Sequence, residues 1–433
     1  MHFFGINLNE KKYYVSFLTI FLILLDNVKT VYAFHSENNN FTTSGDSWWL
    51  LVSLIVFFLF LIIEKKIHFA SRIYENYIQK FKIPNKIAVL VVLVTLSAYI
   101  SITYHEIFED EYQIVGPDHK YTMDYLAQLE FIDFFQIPVN AEIFAIRLFL
   151  LYVSYEIFGT ERLIPFVISI SLLVVVYFLT LRITKSSLSA LVAFFFLIQS
   201  NLFLKYDTIA TYNNFWIFFY LVSLILITNK TWPFSPISFI ASIYSKAISV
   251  IYFPVSILFT LQGEKKFAKR IFIIYGGLAL VGTIYLISQS IRLDFDSTEF
   301  IGGFFAFAKI NFEPVFLVLL IPMVIILYVL AKKGIPQANT MMLGILLSLV
   351  VQPLMVSVFP SFLIHDYRYI AFSVFFVIGI SLIFSKNQRS VPEGRASFVN
   401  NMIFVSLLVV SVLSLLPIFL PEFAHQVMKV SMS

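Results

Sequence analysis

Residues 87–111 read IAVLVVLVTLSAYISITYHEIFEDE. From Ile87 to Thr103 the run carries no charge. A helix rising about 1.5 Å per residue through that run approaches the thickness of a bilayer's hydrocarbon layer. The chain then turns acidic without warning. Glu106, Glu109, Asp110 and Glu111 come first, and Asp118, Asp124, Glu130 and Asp133 follow before Asn140, with Lys120 the one lysine or arginine among them. Apolar runs of similar length recur on both sides of this polar interval. That pattern predicts an all-α polytopic membrane protein, because a membrane β-barrel shows short alternating segments instead.

Composition agrees. Of 433 residues, 59% are hydrophobic and 13% are charged, where a soluble domain carries about 25% charged residues. The chain has no cysteine, which excludes disulfides, thiolate catalysis and cysteine-ligated metal centres. No stretch combines basic and aromatic residues in the manner of a nucleic-acid surface.

Orientation follows from lysine and arginine. Residues 1–33 carry Lys11-Lys12, an apolar run and Val31-Tyr32-Ala33, the pattern of a signal peptide or a retained signal anchor. Residues 34–86 form an N-terminal membrane helix opening at Trp48-Trp49, then a loop with Lys65, Lys66, Arg72, Lys80, Lys82 and Lys86. Such a basic loop belongs on the cytoplasmic side, so the helix beginning at Ile87 crosses outward and delivers the acidic cluster to the outer face. Residues 123–135 and 141–158 read as helices lying in that outer region, the second ended by Gly159. Further crossings are expected at 162–181, 188–204, 213–228, a tight hairpin at 234–245 and 247–262, then 271–290, 314–331, 340–357 and 369–385. Residues 291–313 read as an outer loop, and 386–433 as a last helix with a short outer tail. The expected total is about 12 crossings, or about 13 with the signal segment retained. The localisation implied is multi-pass in the plasma membrane.

This alternation brings the acidic cluster, Lys205, Lys246 and the run His365-Asp366-Tyr367-Arg368-Tyr369 to one face. Charges in or beside membrane helices are functional candidates. Each also has a plainer reading. The acids fit a solvated loop, Lys205 fits snorkelling to headgroups, His365 fits a structural histidine, and Tyr367 and Tyr369 fit an interfacial belt. Lys246 sits between two apolar arms where snorkelling is harder. Arg368 opens a helix, where a cation is poorly placed unless an anion joins it. A carboxylate facing such cations suits one chemistry. The acid takes a proton from an acceptor nucleophile, and the cations stabilise a departing phosphate.

Phe108-Glu109-Asp110-Glu111-Tyr112 resembles the outer-loop acidic motif of the GT-C glycosyltransferases, in particular the protein-mannosyltransferase and aminoarabinose-transferase branch. Residues 157–163 resemble the lead into that family's next crossing, and residues 177–182, 189–200 and 206–219 its following helix pair. Ser245-Lys246 and Arg368-Tyr369 fit later positions, so the resemblance covers residues 87–385. It implies a transfer, with inversion, of a sugar from a polyprenyl-phosphate donor in the membrane lipid to a protein, lipid or glycan acceptor outside the cell. By motif position Asp110 would be the catalytic base and Glu111 its neighbour. Lys246 and Arg368 would contact the donor phosphate, and Lys205 would replace a cation at an outer turn where the family often has arginine and aspartate. Glu109, His365 and Tyr369 are expected near substrate. A divalent metal would have hard oxygen ligands in Asp110, Glu111 and Glu142. Two alternatives remain open: a transporter or lipid flippase, for which no convincing internal repeat is found, and a non-catalytic relative of the same family.

Overall fold

The computed structural model describes residues 2–3, 6–7, 83–131, 133–135, 145–228, 231–262, 265–288, 295–309, 314–358, 365–385 and 396–419. Expectations for the signal segment, the first membrane helix, most of the basic loop and the outer tail lie outside these residues. The described chain is helical throughout, apart from a short pairing of His2–Phe3 with Ile6–Asn7.

The helices are α1 (Asn85–Thr103), α2 (Pro117–Leu126), α3 (Ala145–Phe158), α4 (Leu163–Thr184), α5 (Ser187–Ile198), α6 (Asn201–Tyr206), α7 (Phe215–Ile227) and α8 (Ser235–Ser245). They continue with α9 (Phe253–Leu261), α10 (Lys265–Ser288), α11 (Ser297–Lys309), α12 (Pro314–Lys332), α13 (Gln337–Val358), α14 (Ile370–Ser381) and α15 (Ala396–Phe419). Among the described residues, four helical stretches are long and apolar enough to cross a membrane: Asn85–Phe108, Leu163–Thr184, Gln337–Val358 and Asp366–Phe384. At 1.5 Å per residue α4 extends about 33 Å, against a hydrocarbon layer of about 30 Å. Shorter apolar helices, α5 and α7 among them, fill in between.

Several boundaries differ from the sequence reading, each for a local reason. The helix expected over 188–204 breaks at Gln199-Ser200, because the Ser200 hydroxyl caps a new helix by accepting from Phe203 N–H at 3.1 Å. The helix expected over 123–135 instead starts at Pro117, after Gly116 in a left-handed conformation, and ends at Leu126. Residues 291–313, expected as a loop, contain α11. The hairpin breaks where expected. Lys246 is extended, with φ −164°, and a 3₁₀ segment, Ala247–Tyr252, leads into α9 at Phe253-Pro254. Gly159 ends α3 with φ +71°, where a side chain would be strained.

The core is built around α4, α5, α7, α8, α13 and α14, which pack in a contiguous series. Apolar side chains alone gain little from helix association in lipid, so small and hydroxyl side chains carry much of the specificity. Here α8 lies against α7 through a ladder of serines. Ser235, Ser238 and Ser242 donate to the carbonyls of Ser223, Phe219 and Trp216, at 3.0, 2.7 and 2.7 Å. The steps run forward along α8 and backward along α7, as an antiparallel pair requires. Helices α13 and α14 meet at Gly344, where an added Cβ would lie 2.5 Å from the Phe375 ring. Behind this seam Tyr252 lies on Phe375 with ring centroids 5.8 Å apart, and the Tyr220 hydroxyl donates to Tyr252 O at 3.0 Å.

These contacts bring a set of helix ends together. The end of α1, the start of α4, the end of α6, the start of α7, the end of α8 and the start of α14 meet around residues 207–214.

Candidate functional site

Residues 207–214, DTIATYNN, bridge α6 and α7 and are almost wholly buried despite their polarity. A buried turn must have its backbone groups satisfied, and charged side chains do that here. Both oxygens of Glu111 accept backbone N–H groups, from Ala210 and Thr211, each at 2.8 Å. Arg162, 1% exposed, donates through Nε to Thr208 O at 3.0 Å, through Nη2 to Thr208 Oγ1 at 2.9 Å and through Nη1 to Glu109 O at 2.8 Å. Its Nε also lies 3.8 Å from Glu111. Tyr99 donates to Asp207 from α1, and Thr208 donates to Glu106 at 3.2 Å. The acidic cluster thus grips the turn from one side.

Cations gather on the other side. Arg147 from α3, Lys246 from the hairpin tip and Arg368 ahead of α14 line one cavity of about 60 Å³. Thr211, Asn213, Trp216, Ser245 and Tyr367 also line it, and among the described residues no carboxylate does. Arg147 is oriented by donating to Thr211 O at 2.7 Å. The Lys246 ammonium lies 3.5 Å from the centre of the Tyr367 ring, a close cation–π contact. Tyr212 stacks on the same ring with centroids 4.3 Å apart, so Tyr367 is held between the two. Burial, with Arg368 and Arg147 adding repulsion, pushes the Lys246 ammonium well below the usual lysine range. Burial likewise lowers His365, again reinforced by Arg368 and Lys246.

The residues expected from sequence are distributed unevenly around this cavity. Lys246 and Arg368 are brought together, and Arg147 joins them. Lys205 instead pairs with Asp366 at 2.6 Å, and Asp366 also accepts from the Tyr206 hydroxyl. Glu111 is buried against the turn. Asp110 is exposed, and its Oδ1 accepts the N–H of Tyr112 at 3.0 Å, fixing the start of a single helical turn. Glu109 is exposed and contributes its carbonyl to Arg162. His365 is fixed by its backbone, which exchanges hydrogen bonds with the Gln352 side chain, both at 2.9 Å. Its ring lies 5.7 Å from Tyr212 and 5.5 Å from Tyr367. Tyr369 is fully buried in the core.

Of the carboxylates expected to hold a metal, Asp110 is exposed, Glu111 is buried and Glu142 lies outside the described residues. The metal-like grouping among the described residues is Glu111, His119 and Glu161, with ligand atoms within 4.8 Å of one another. It does not fit a cation well. Glu111 already accepts two N–H groups, and the Arg162 guanidinium is 3.8 Å away with its own full charge.

Sequence reasoning covered Arg147 only as part of the outer helix expected over 141–158 and Arg162 only within the lead-in segment 157–163, and it gave no role to Trp216. The signal was present for the arginines, since each interrupts an apolar stretch. No protein-family model matches the chain, and no curated protein or solved structure matches it either.

Proposed function

We propose that the chain is a membrane glycosyltransferase of GT-C type, with about 12 or 13 crossings, that moves a sugar from a polyprenyl-phosphate donor to an acceptor at the outer membrane face. One observation carries the reading: Arg147, Lys246 and Arg368 converge on one cavity, and among the described residues no carboxylate lines it. Three cations collected around one cavity at the edge of a membrane domain suit an anion held by a lipid tail. A phosphate fits these donors, with arginine forks and a lysine point charge together.

Asp110 is the base in this reading, and Glu111 holds the turn beside it. The Asp110 carboxylate takes the proton of the acceptor hydroxyl. The acceptor oxygen bonds to the anomeric carbon from the face opposite the phosphate. The bond from that carbon to the phosphate oxygen breaks, and the pair stays with the phosphate. The leaving polyprenyl phosphate carries one more negative charge than the donor did, and the cation cavity stabilises that increment.

The test uses membranes supplied with polyprenyl-phosphate sugars. Asp110→Asn should lower transfer by about 100-fold or more at unchanged expression. Donor binding should persist, because the cation cavity is untouched. Full transfer by Asp110→Asn removes the base, and donor-independent behaviour of Lys246→Met removes the donor site. Movement of the phospholipid donor across the bilayer without any sugar transfer would favour a flippase.

A further inference from the structure

Trp216 stands in the first turn of α7 and is 1% exposed. Its ring forms part of the cavity wall beside Lys246. The indole Nε1 is buried and has no hydrogen-bond partner among the described residues. A buried indole N–H without an acceptor is unfavourable by about 1–3 kcal/mol, and buried tryptophan usually finds a partner. The neighbouring backbone explains the position but not the nitrogen: the Trp216 carbonyl is the acceptor for Ser242 in the serine ladder. Lys246 shows a similar pattern in the same cavity. It makes no ion pair among the described residues and rests on the face of Tyr367.

The wall of the cavity is rich in charged donors. An indole N–H cannot accept, and neither can an ammonium or a guanidinium. Ser245, whose hydroxyl proton goes to Ala241 O at 2.8 Å, can only accept from the cavity, and Asn213 keeps one amide proton after donating to Ala210 O at 2.7 Å. The start of α7 adds the positive end of a helix of 13 residues. A sugar hydroxyl or a water carries no charge and gains little from the three cations. An ionised phosphate oxygen accepts only.

We propose that the Trp216 indole N–H is a direct hydrogen-bond donor to a phosphate oxygen of a ligand held by Lys246, and that together they favour an ionised phosphate in the cavity. This rests on the donor-site reading above and adds to it a contact residue that the sequence did not reveal. The bond is a neutral donor to a charged acceptor, inside a site that excludes most water, which places it among the stronger hydrogen bonds.

The test is built on a protein in which Trp48, Trp49 and Trp232 are each replaced by Phe, leaving Trp216 as the sole tryptophan. Farnesyl phosphate, farnesol and inorganic phosphate are titrated while Trp216 emission is followed. Farnesyl phosphate should change the emission saturably and farnesol should not. Saturation by inorganic phosphate at comparable concentration would identify a free-phosphate site rather than a lipid headgroup site. In an otherwise native chain, Trp216→Phe should weaken farnesyl phosphate binding about tenfold, read by displacement of labelled ligand, while Lys246→Met weakens it further. If Trp216→Phe binds like the native protein while Lys246→Met loses binding, the indole contact is wrong and the donor site stands. If neither substitution alters binding, both are wrong. Should Trp216→Phe not fold, the emission titration still decides, because an unchanged Trp216 spectrum at saturating farnesyl phosphate overturns the contact.

Discussion

On the α1–α4 side of residues 207–214, the buried carboxylate of Glu111 meets two backbone N–H groups and the Arg162 guanidinium. On the α8–α14 side, the largely buried ammonium of Lys246 meets an aromatic face, with Arg147 and Arg368 lining the same cavity. The same turn separates the two regions, and both contribute charge at the rim of an apolar bundle. In the first, charge is compensated and serves to hold backbone in place. In the second, three cations are drawn around one cavity, and their mutual repulsion favours an anion between them. A buried pair holds shape at little net gain, whereas the removal of one partner strands the other. A cation kept without a carboxylate lowers stability and is retained where a ligand repays it.

The comparison predicts opposite signatures for substitution on its two sides. Glu111→Ala should be the most damaging change for the fold. It strands Arg162 and orphans the N–H groups of Ala210 and Thr211, at a cost of about 3–5 kcal/mol. The thermal unfolding midpoint in detergent should fall sharply, and donor binding should be lost with it. A midpoint unchanged by Glu111→Ala would mean that the clamp does not hold the turn, and the contrast between the two regions would collapse.

Lys246→Met removes an uncompensated cation instead. Its flexible apolar chain keeps the volume against Tyr367. Transfer should drop about 100-fold, while the unfolding midpoint stays level or rises, because the desolvation penalty of the ammonium is gone. A variant that is both less stable and still active would place Lys246 with the structural charges.

The ladder between α7 and α8 sharpens the same point at lower amplitude, since it holds Trp216 and the hairpin tip in position without touching the cavity. Ser242→Ala removes one donor to the Trp216 carbonyl. In a membrane bundle that should lower stability by about 0.6 kcal/mol and leave transfer within twofold. A large activity loss at full stability would show that the register of α7 against α8 is set by that bond.

What could be read from the chain alone divides along chemical lines. The helical class and the break at Lys246 were legible, because uncharged runs and a lysine between apolar arms are local signals. So was the gathering of Lys246 and Arg368, which needed only the alternation of basic loops. The clamp was not. Glu111 and Asp110 are neighbours of the same type, and only the arrival of Ala210 and Thr211, about a hundred positions away, decides which is buried. Trp216 was invisible for a related reason. Tryptophan at the end of a membrane helix reads as an interfacial anchor, and an unsatisfied N–H shows only once its neighbours are in place. The helix over 297–309 was missed because Asp294, Asp296 and Glu299 made the segment look like solvent-exposed loop, whereas Asp296 caps that helix by accepting from Thr298 N–H at 2.7 Å.

Lys205 gives the smallest effect and the finest cut between the two regions. It was expected to join the phosphate-binding cations, and its charge and position at the rim match theirs. Its geometry does not, because Asp366 meets it at 2.6 Å and the Tyr206 hydroxyl completes that carboxylate. The lysine side chain is 46% exposed, and an exposed pair of this kind contributes about 0–1 kcal/mol. Lys205→Ala should therefore change stability by less than about 1 kcal/mol and leave farnesyl phosphate binding within twofold. Asp366→Asn is the informative partner, since it frees Lys205 while retaining an acceptor for Tyr206. If Lys205 has only a structural pairing, Asp366→Asn leaves binding unchanged as well. If donor binding instead tightens in Asp366→Asn and that gain disappears in the double substitution with Lys205→Ala, then Asp366 restrains a fourth cation, and the boundary between compensated and uncompensated charge moves outward to include it.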